Sequence, residues 1–250
     1  MLEGMYKVTN HMITESKRQQ HFSENMANSS VAGYRGKALD TNSFSGILDQ
    51  NLSRYEATGY SVSSEKVVHN FTQGPIRLTA RSLDFAISGD GFFAVEGKSG
   101  NELYTRNGAF FLSADGELVT SEGLKVATKG KLKINDGDPV DQLHAKQDGS
   151  LIIPTAEGEE KVGQLKIVEI AEPQKLERAS SNYFYLLEEN KALAVEAENS
   201  KVRNFSSETA NVTAIEEMAN MISSLRSYEV SAKVLKMNDE LIGKHLGLTE

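Results

Sequence analysis

At 250 residues the chain is long enough for a sizeable core, yet its formal charge of −8 and pI near 5.3 exclude the basic face that phosphate neutralisation requires. No cysteine is present, which excludes disulfides, thiolate metal sites and cysteine nucleophiles. The mean hydropathy is −0.40, and no stretch approaches the ~18 consecutive apolar residues of a spanning helix, so no membrane insertion is expected.

The chain opens Met1-Leu2-Glu3-Gly4-Met5-Tyr6-Lys7, which never builds the apolar core of a secretory signal. Taken alone, this reads as a cytoplasmic protein or one exported without a cleaved signal. The first ~30 residues read as a helix, judged on pattern and scarcity of Gly and Pro. Leu2, Met5, Met12 and Met26 form its apolar seam, diluted by the polar Thr9, Ser16 and Gln19. Asn28-Ser29-Ser30 and then Gly33 mark its end, and Gly33 is expected to adopt a turn or left-handed conformation. From 36 to about 65 the composition turns to Ser, Asn, Thr and Gly, with an apolar island at Ile47, Leu48 and Leu52. This predicts a connector carrying a short helix or hairpin.

From Val67 to Val195 the apolar period switches to two, as in Leu83, Phe85, Ile87 and then Phe93 and Val95. Asn107-Gly108, Asp115-Gly116 and Asp148-Gly149 are hairpin signals, and Gln164 to Ile170 reads as one strand. Short strands at near-regular spacing predict an all-β module, sandwich or barrel-like. All four prolines (Pro75, Pro139, Pro154, Pro173) fall in this middle. A second seam then runs Ala214, Met218, Met221, Leu225, Tyr228, Ala232, Leu235, Asp239, Ile242, with alternating gaps of four and three. That is coiled-coil spacing. No Gly or Pro interrupts Asn211 to Ile242, and Gly243 and Gly247 follow as stop signals. The fold class is therefore α+β, with N- and C-terminal coiled-coil helices flanking a central all-β domain. The expected division is an N-terminal axial helix at 1–35, a connector at 36–72, a central β-domain at 73–200 and a C-terminal axial helix at 201–250 that pairs with the first.

Few features suggest chemistry. Gly89-Asp90-Gly91-Phe92-Phe93-Ala94 matches a loosened dinucleotide fingerprint, but that loop must open a helix, and the residues that follow read as a strand. The five histidines (His11, His21, His69, His144, His245) are scattered and none has metal-ligand spacing. A catalytic pair among Asp84, Asp90 and Glu96 is the enzyme alternative. A carbohydrate-binding module would display more aromatics than the 7% here. No cofactor and no metal are expected.

Ser23-Glu24-Asn25-Met26-Ala27-Asn28-Ser29-Ser30-Val31-Ala32-Gly33-Tyr34-Arg35 resembles the signature closing the N-terminal helix of the flagellar basal-body rod and hook family, with Val31 where the family usually has Thr. Gln73-Gly74-Pro75, the run Leu83 to Val95, Tyr104 to Phe110 and Asp115 to Thr120 resemble the family's central block in order and spacing. Asn211-Val212, Glu217-Met218, Met221-Ile222 and Arg226-Ser227-Tyr228-Glu229 are similar to its C-terminal helix. The resemblance implies a structural subunit of the bacterial flagellar rod in the cell envelope, exported through the flagellar type III apparatus. Its terminal helices would pair into an inner tube with the β-domain outward, transmitting motor torque to the hook. Its partners would be copies of itself and other flagellar rod proteins. The short connector suggests a proximal-rod type, with a distal-rod or hook-type axial protein as the alternative. The expected assembly interface comprises Leu2, Met5, Met12, Asn25, Met26, Asn28, Gly33 and Tyr34, together with Met218, Met221, Ile222, Leu225, Tyr228 and Leu235.

Overall fold

The computed structural model describes residues 2–43, 63–98, 100–130, 132, 134, 142–155, 158–197 and 200–247. The chain divides into two compact units, Met1–Ala27, Lys37–Asn70 and Val212–Glu250 in one, Asn28–Gly36 and Phe71–Asn211 in the other.

Among the described residues, the first unit holds two helices and a two-stranded ribbon. Helix α1 (Leu2–Asn28) contains no proline and ends where expected, at the polar Asn28-Ser29-Ser30 step. Beyond it Gly33 sits at φ +69, the left-handed conformation anticipated for it. Strands β1 (Lys37–Ser43) and β2 (Ser63–His69) pair antiparallel from Lys37↔His69 to Ser43↔Ser63, so the connector is a hairpin-like ribbon. The island at Ile47, Leu48 and Leu52 lies outside the described residues. Helix α2 (Ala214–Gly247) starts on a capping signal, Thr213-x-x-Glu216. The Glu216 amide donates to Thr213 Oγ1 at 3.3 Å, and Glu216 and Glu217 place negative charge in the first turn, where the helix dipole favours it. Gly243 does not stop this helix, which continues to Gly247. A lone interior Gly costs only about 1 kcal/mol relative to Ala.

Among its described residues the second unit is built of β-strands, with short 3-10 turns at Pro173–Lys175 and Glu188–Leu193. Its strands are β3 (Ile76–Leu78), β4 (Phe85–Ser88), β5 (Gly91–Glu96), β6 (Glu102–Thr105), β7 (Phe111–Leu112), β8 (Leu118–Val119), β9 (Lys125–Val126), β10 (His144–Ala145) and β11 (Ser150–Thr155). They continue as β12 (Gly158–Gln164), β13 (Ile167–Ile170), β14 (Glu177–Arg178), β15 (Tyr183–Tyr185), β16 (Ala194–Glu196), β17 (Lys201–Asn204) and β18 (Ser206–Glu208). The largest sheet runs β14-β15-β6-β5-β9-β8-β7, and β13 joins it on β5 and carries β16. Strands β10, β11 and β12 form a separate three-stranded sheet, while β17 pairs β4 and β18 pairs β3.

Strand β5 organises this unit because it is covered on both faces. Phe93 and Val95 point into one cluster with Phe85, Ile87, Phe110 and Leu151, while Phe92 and Ala94 point into another with Tyr104, Val168 and Phe184. That accounts for the unbroken apolar run at 92–95, since a strand buried on one face only would alternate. Gly89–Gly91 is a strand-to-strand turn, and no helix follows it.

Several expectations need correction. Asp115-Gly116 and Asp148-Gly149 do turn hairpins, joining β7 to β8 and β10 to β11 with both glycines at positive φ. Asn107-Gly108 does not. Strands β6 and β7 are unpaired with each other, and Gly108 is not at positive φ. Instead Asn107 Oδ1 accepts from the Ala109 amide at 3.1 Å, and Gly108 lets its backbone approach Phe85, where any Cβ would fall 1.9 Å from the Phe85 carbonyl oxygen. The strand expected from Gln164 to Ile170 is split between β12 and β13. The segment from 201 opens with β17 and β18, and its helix begins only at Ala214.

Candidate assembly interface

Helices α1 and α2 meet through polar side chains. Asn25 Nδ2 donates to Glu217 Oε1 at 3.2 Å, Ser224 Oγ donates to Glu15 Oε2 at 2.6 Å, and His11 Nε2 lies 2.9 Å from Ser227 Oγ. Residue numbers fall on α1 as they rise on α2, so the pair is antiparallel. Glu15, Asn25, Glu217, Ser224 and Ser231 are all buried. The 3-4 spacing anticipated on both helices is present, but alternate positions are offset by one residue. Glu217, Ser224 and Ser231 hold the covered places where the apolar pattern put Met218, Leu225 and Ala232, with Met221 and Leu235 half-buried in both registers. On α1, Thr9 and Ser16 are exposed, whereas Val8 is half-buried and Glu15 buried.

The buried carboxylates are unequally satisfied. Glu15 accepts from Arg18 at 2.7 Å as well as from Ser224. Glu217 has Asn25 on one oxygen, while its other oxygen is buried with no hydrogen-bond partner. Burial accordingly pushes the Glu217 carboxyl above the ordinary range, with the Asn25 hydrogen bond opposing it. Asn25 also grips the ribbon: its Nδ2 donates to the Lys37 carbonyl at 2.8 Å, and its Oδ1 accepts from the Lys37 amide at 2.9 Å. The Lys37 ammonium pairs with Glu24, and this hydrogen bond is the main reason the Glu24 carboxyl sits below its usual value. Asn25 thus joins α1, β1 and α2.

Beside this covered face α2 carries an uncovered apolar stripe. Ile215 is 81% exposed, Met218 45%, Ile222 52% and Leu225 43%, at spacings of three, four and three. Tyr228 continues it at the margin of exposure. Of the remaining expected interface residues, Met5, Met12, Met26 and Asn28 are half-buried, and the side chain of Leu2 lies outside the described residues.

Gly33 and Tyr34 are interior residues of the β unit, so any part they have in assembly is indirect. With Arg35 they are laid against residues 208–211: the Gly33 amide donates to the Glu208 carbonyl at 2.8 Å, the Asn211 amide to the Tyr34 carbonyl at 3.3 Å, and the Gly36 amide to Asn211 Oδ1 at 2.9 Å. Arg35 and Glu208, both 0% exposed, pair at 2.6 Å. Arg106 reaches the other Glu208 oxygen at 3.5 Å and stands 4.8 Å above the Phe92 ring centre. Burial, only partly offset by Glu208, pushes the Arg106 guanidinium down to about 10. Glu208 also accepts from the Gly74 amide at 2.7 Å, so one carboxylate gathers three segments.

Gly33 is tightly constrained. Beyond its positive φ, a Cβ there would lie 2.4 Å from the Asn107 nitrogen, which is backbone and cannot swing aside. Gly33→Val is therefore expected to destabilise the β unit by about 2–5 kcal/mol, combining backbone strain with overpacking. Thermal unfolding of the purified variant checks this, and an unchanged transition would contradict the geometry.

The acidic trio considered for catalysis does not converge into a metal-type cluster. Asp84 is buried beside Arg81 at 3.5 Å, Glu96 is exposed at the end of β5, and among the described residues no group of three His, Asp or Glu side chains is placed to hold an ion.

Comparison with known proteins finds similar sequences. A family model described as flagellar hook protein FlgE/F/G D1 domain matches residues 86–167, and one described as flagellar basal body rod FlgEFG protein C-terminal matches residues 204–248. The flagellar basal-body rod protein FlgG of Buchnera aphidicola subsp. Acyrthosiphon pisum is 31% identical over 196 residues, covering 75% of this chain and 72% of the relative. FlgG of Bacillus subtilis is 26% identical over 266 residues, with 99% of both chains covered. FlgF of Buchnera aphidicola subsp. Schizaphis graminum is 27% identical over 251 residues, with 96% of this chain and 95% of the relative covered. The two matched stretches contain the turn at Gly89–Gly91 and the whole of α2, and together with these relatives they show that the chain belongs to the flagellar basal-body rod protein family, structural proteins of the flagellar basal body.

Proposed function

We infer that this chain builds the flagellar rod by packing the uncovered stripe of α2 against helices of neighbouring subunits, copies of itself and other rod proteins. The observation that carries this reading is the stripe itself, with Ile215, Met218, Ile222 and Leu225 aligned on one exposed face. Isolated exposed apolar residues are ordinary, whereas an aligned row at heptad spacing suits a helical partner. In this reading α1 and α2 form a two-stranded antiparallel coiled coil, and the sealed clusters of the β unit have a packing role rather than a catalytic one. In this reading export proceeds through the flagellar type III apparatus.

Hydrogen exchange tests this reading. The α1–α2 contact buries few large apolar side chains, so residues 2–28 and 214–247 should exchange much faster in the free chain than the β unit does. In purified basal bodies containing the tagged protein, both helices should become protected. Absence of the tag from the rod, or helices equally exposed before and after assembly, would overturn the reading.

A further inference from the structure

Helix α2 offers α1 two overlapping stripes that share Met221 and Leu235. One is polar, with Glu217, Ser224 and Ser231; the other is apolar, with Met218, Leu225 and Ala232. Burial of apolar surface alone would seat α1 on the second, where Met218 and Leu225 would leave water. The chain does the opposite, and the hydrogen bonds show how. Glu15 finds Ser224, and Asn25 finds Glu217, only when α1 lies on the polar stripe. Rolling α1 onto the apolar stripe would leave two buried polar side chains of α1 facing Met218 and Leu225, with their hydrogen bonds to α2 unmade.

We propose that Glu15 and Asn25 are specificity-determining residues which steer α1 onto the polar stripe of α2 and so keep the apolar stripe free for a second helix. They act by making the apolar alternative unfavourable, in the way a single buried polar residue selects among coiled-coil pairings. The identity of that second helix rests on the assembly reading above; the choice of stripe does not. On α1, Arg18 pairs with the Glu15 carboxylate at 2.7 Å and His11 lies 3.9 Å from it.

The absence of cysteine makes the test clean, because one introduced thiol reports one position. Leu225→Cys and Ser231→Cys are made separately in the full free chain, and thiol labelling rates are compared. With Glu15 and Asn25 intact, position 225 should label at least tenfold faster than 231. In the Glu15→Leu/Asn25→Leu background the order should reverse as α1 rolls across. Glu15→Leu alone, which keeps the Asn25 tie to Lys37, should shift the ratio in the same direction by severalfold. An unchanged ratio in both backgrounds would mean that these residues do not choose the stripe. Fast labelling at both positions would mean that they hold the helices together rather than select a face. Either result overturns the proposal, whether or not the protein enters rods.

Discussion

Leu225→Asp should abolish rod assembly and motility while leaving the free protein folded and exported. Leu225 is 43% exposed, so in the free chain the new carboxylate stays in water and costs little. In the rod the same position would be covered by a neighbouring helix, and an unpaired charge buried there costs several kcal/mol. Export, measured as protein in the culture medium, should continue, and the β unit should keep its thermal transition. Ser223→Asp adds the same charge at an exposed site beside the stripe and should leave swimming in soft agar nearly normal. Motile Leu225→Asp cells would remove the support for assembly through this stripe. So would a monomer that unfolds, which would place Leu225 in a core.

Glu208→Ala should be the most damaging single change within the β unit. It leaves Arg35 and Arg106 buried beside one another without a carboxylate, and it strands the Gly74 amide. Breaking a buried ion pair by removing one partner costs about 3–5 kcal/mol, which for a unit of this size lowers the melting temperature by roughly 10–20 °C. Removing the carboxylate of the solvent-exposed pair Lys146–Glu159, also at close range, should produce no measurable shift. The pH dependence has a definite sign. Arg106 is pushed down to about 10, so folding disfavours its charged form, and that penalty is fully present below pH 10 and relieved only above it. Glu208 is one of the groups that hold this value up, so its loss lowers it further, and the Glu208→Ala deficit should stay level or shrink as pH rises from 6 to 9. A deficit that grows across that window would show that another group carries the effect.

The helices were legible because heptad spacing is local and long. α1 and α2 lie where the seams at Met5–Met26 and Ala214–Ile242 placed them. The covered face of each was not, because the pattern was scored on apolarity and the contact is polar. Glu15 and Ser224 form a bond across 209 positions, which no local period reveals. The same holds for Arg35, Arg106 and Glu208, whose motif membership was visible at Arg35 and Arg106 while their common partner was not. Asn107-Gly108 misled for a different reason. The dipeptide has the right conformational freedom for a hairpin, but the close approach of Gly108 to Phe85 uses its missing Cβ instead. The signal at Thr213-x-x-Glu216 was present in the sequence and would have fixed the start of α2 to the residue.

The strip formed by residues 33–36 and 208–211 determines how the protein carries tension. The chain enters the β unit at Asn28, leaves it for the ribbon at Lys37–Asn70, returns at Phe71 and leaves again at Asn211, and hydrogen bonds plus the Arg35–Glu208 pair join residues 33–36 directly to residues 208–211. A pull transmitted from one terminal helix to the other therefore crosses at this strip. The strands between Phe71 and Phe205 lie outside that short route through the β unit. Extra strands or whole domains inserted at its outer turns would add bulk without lengthening or weakening the force-carrying path.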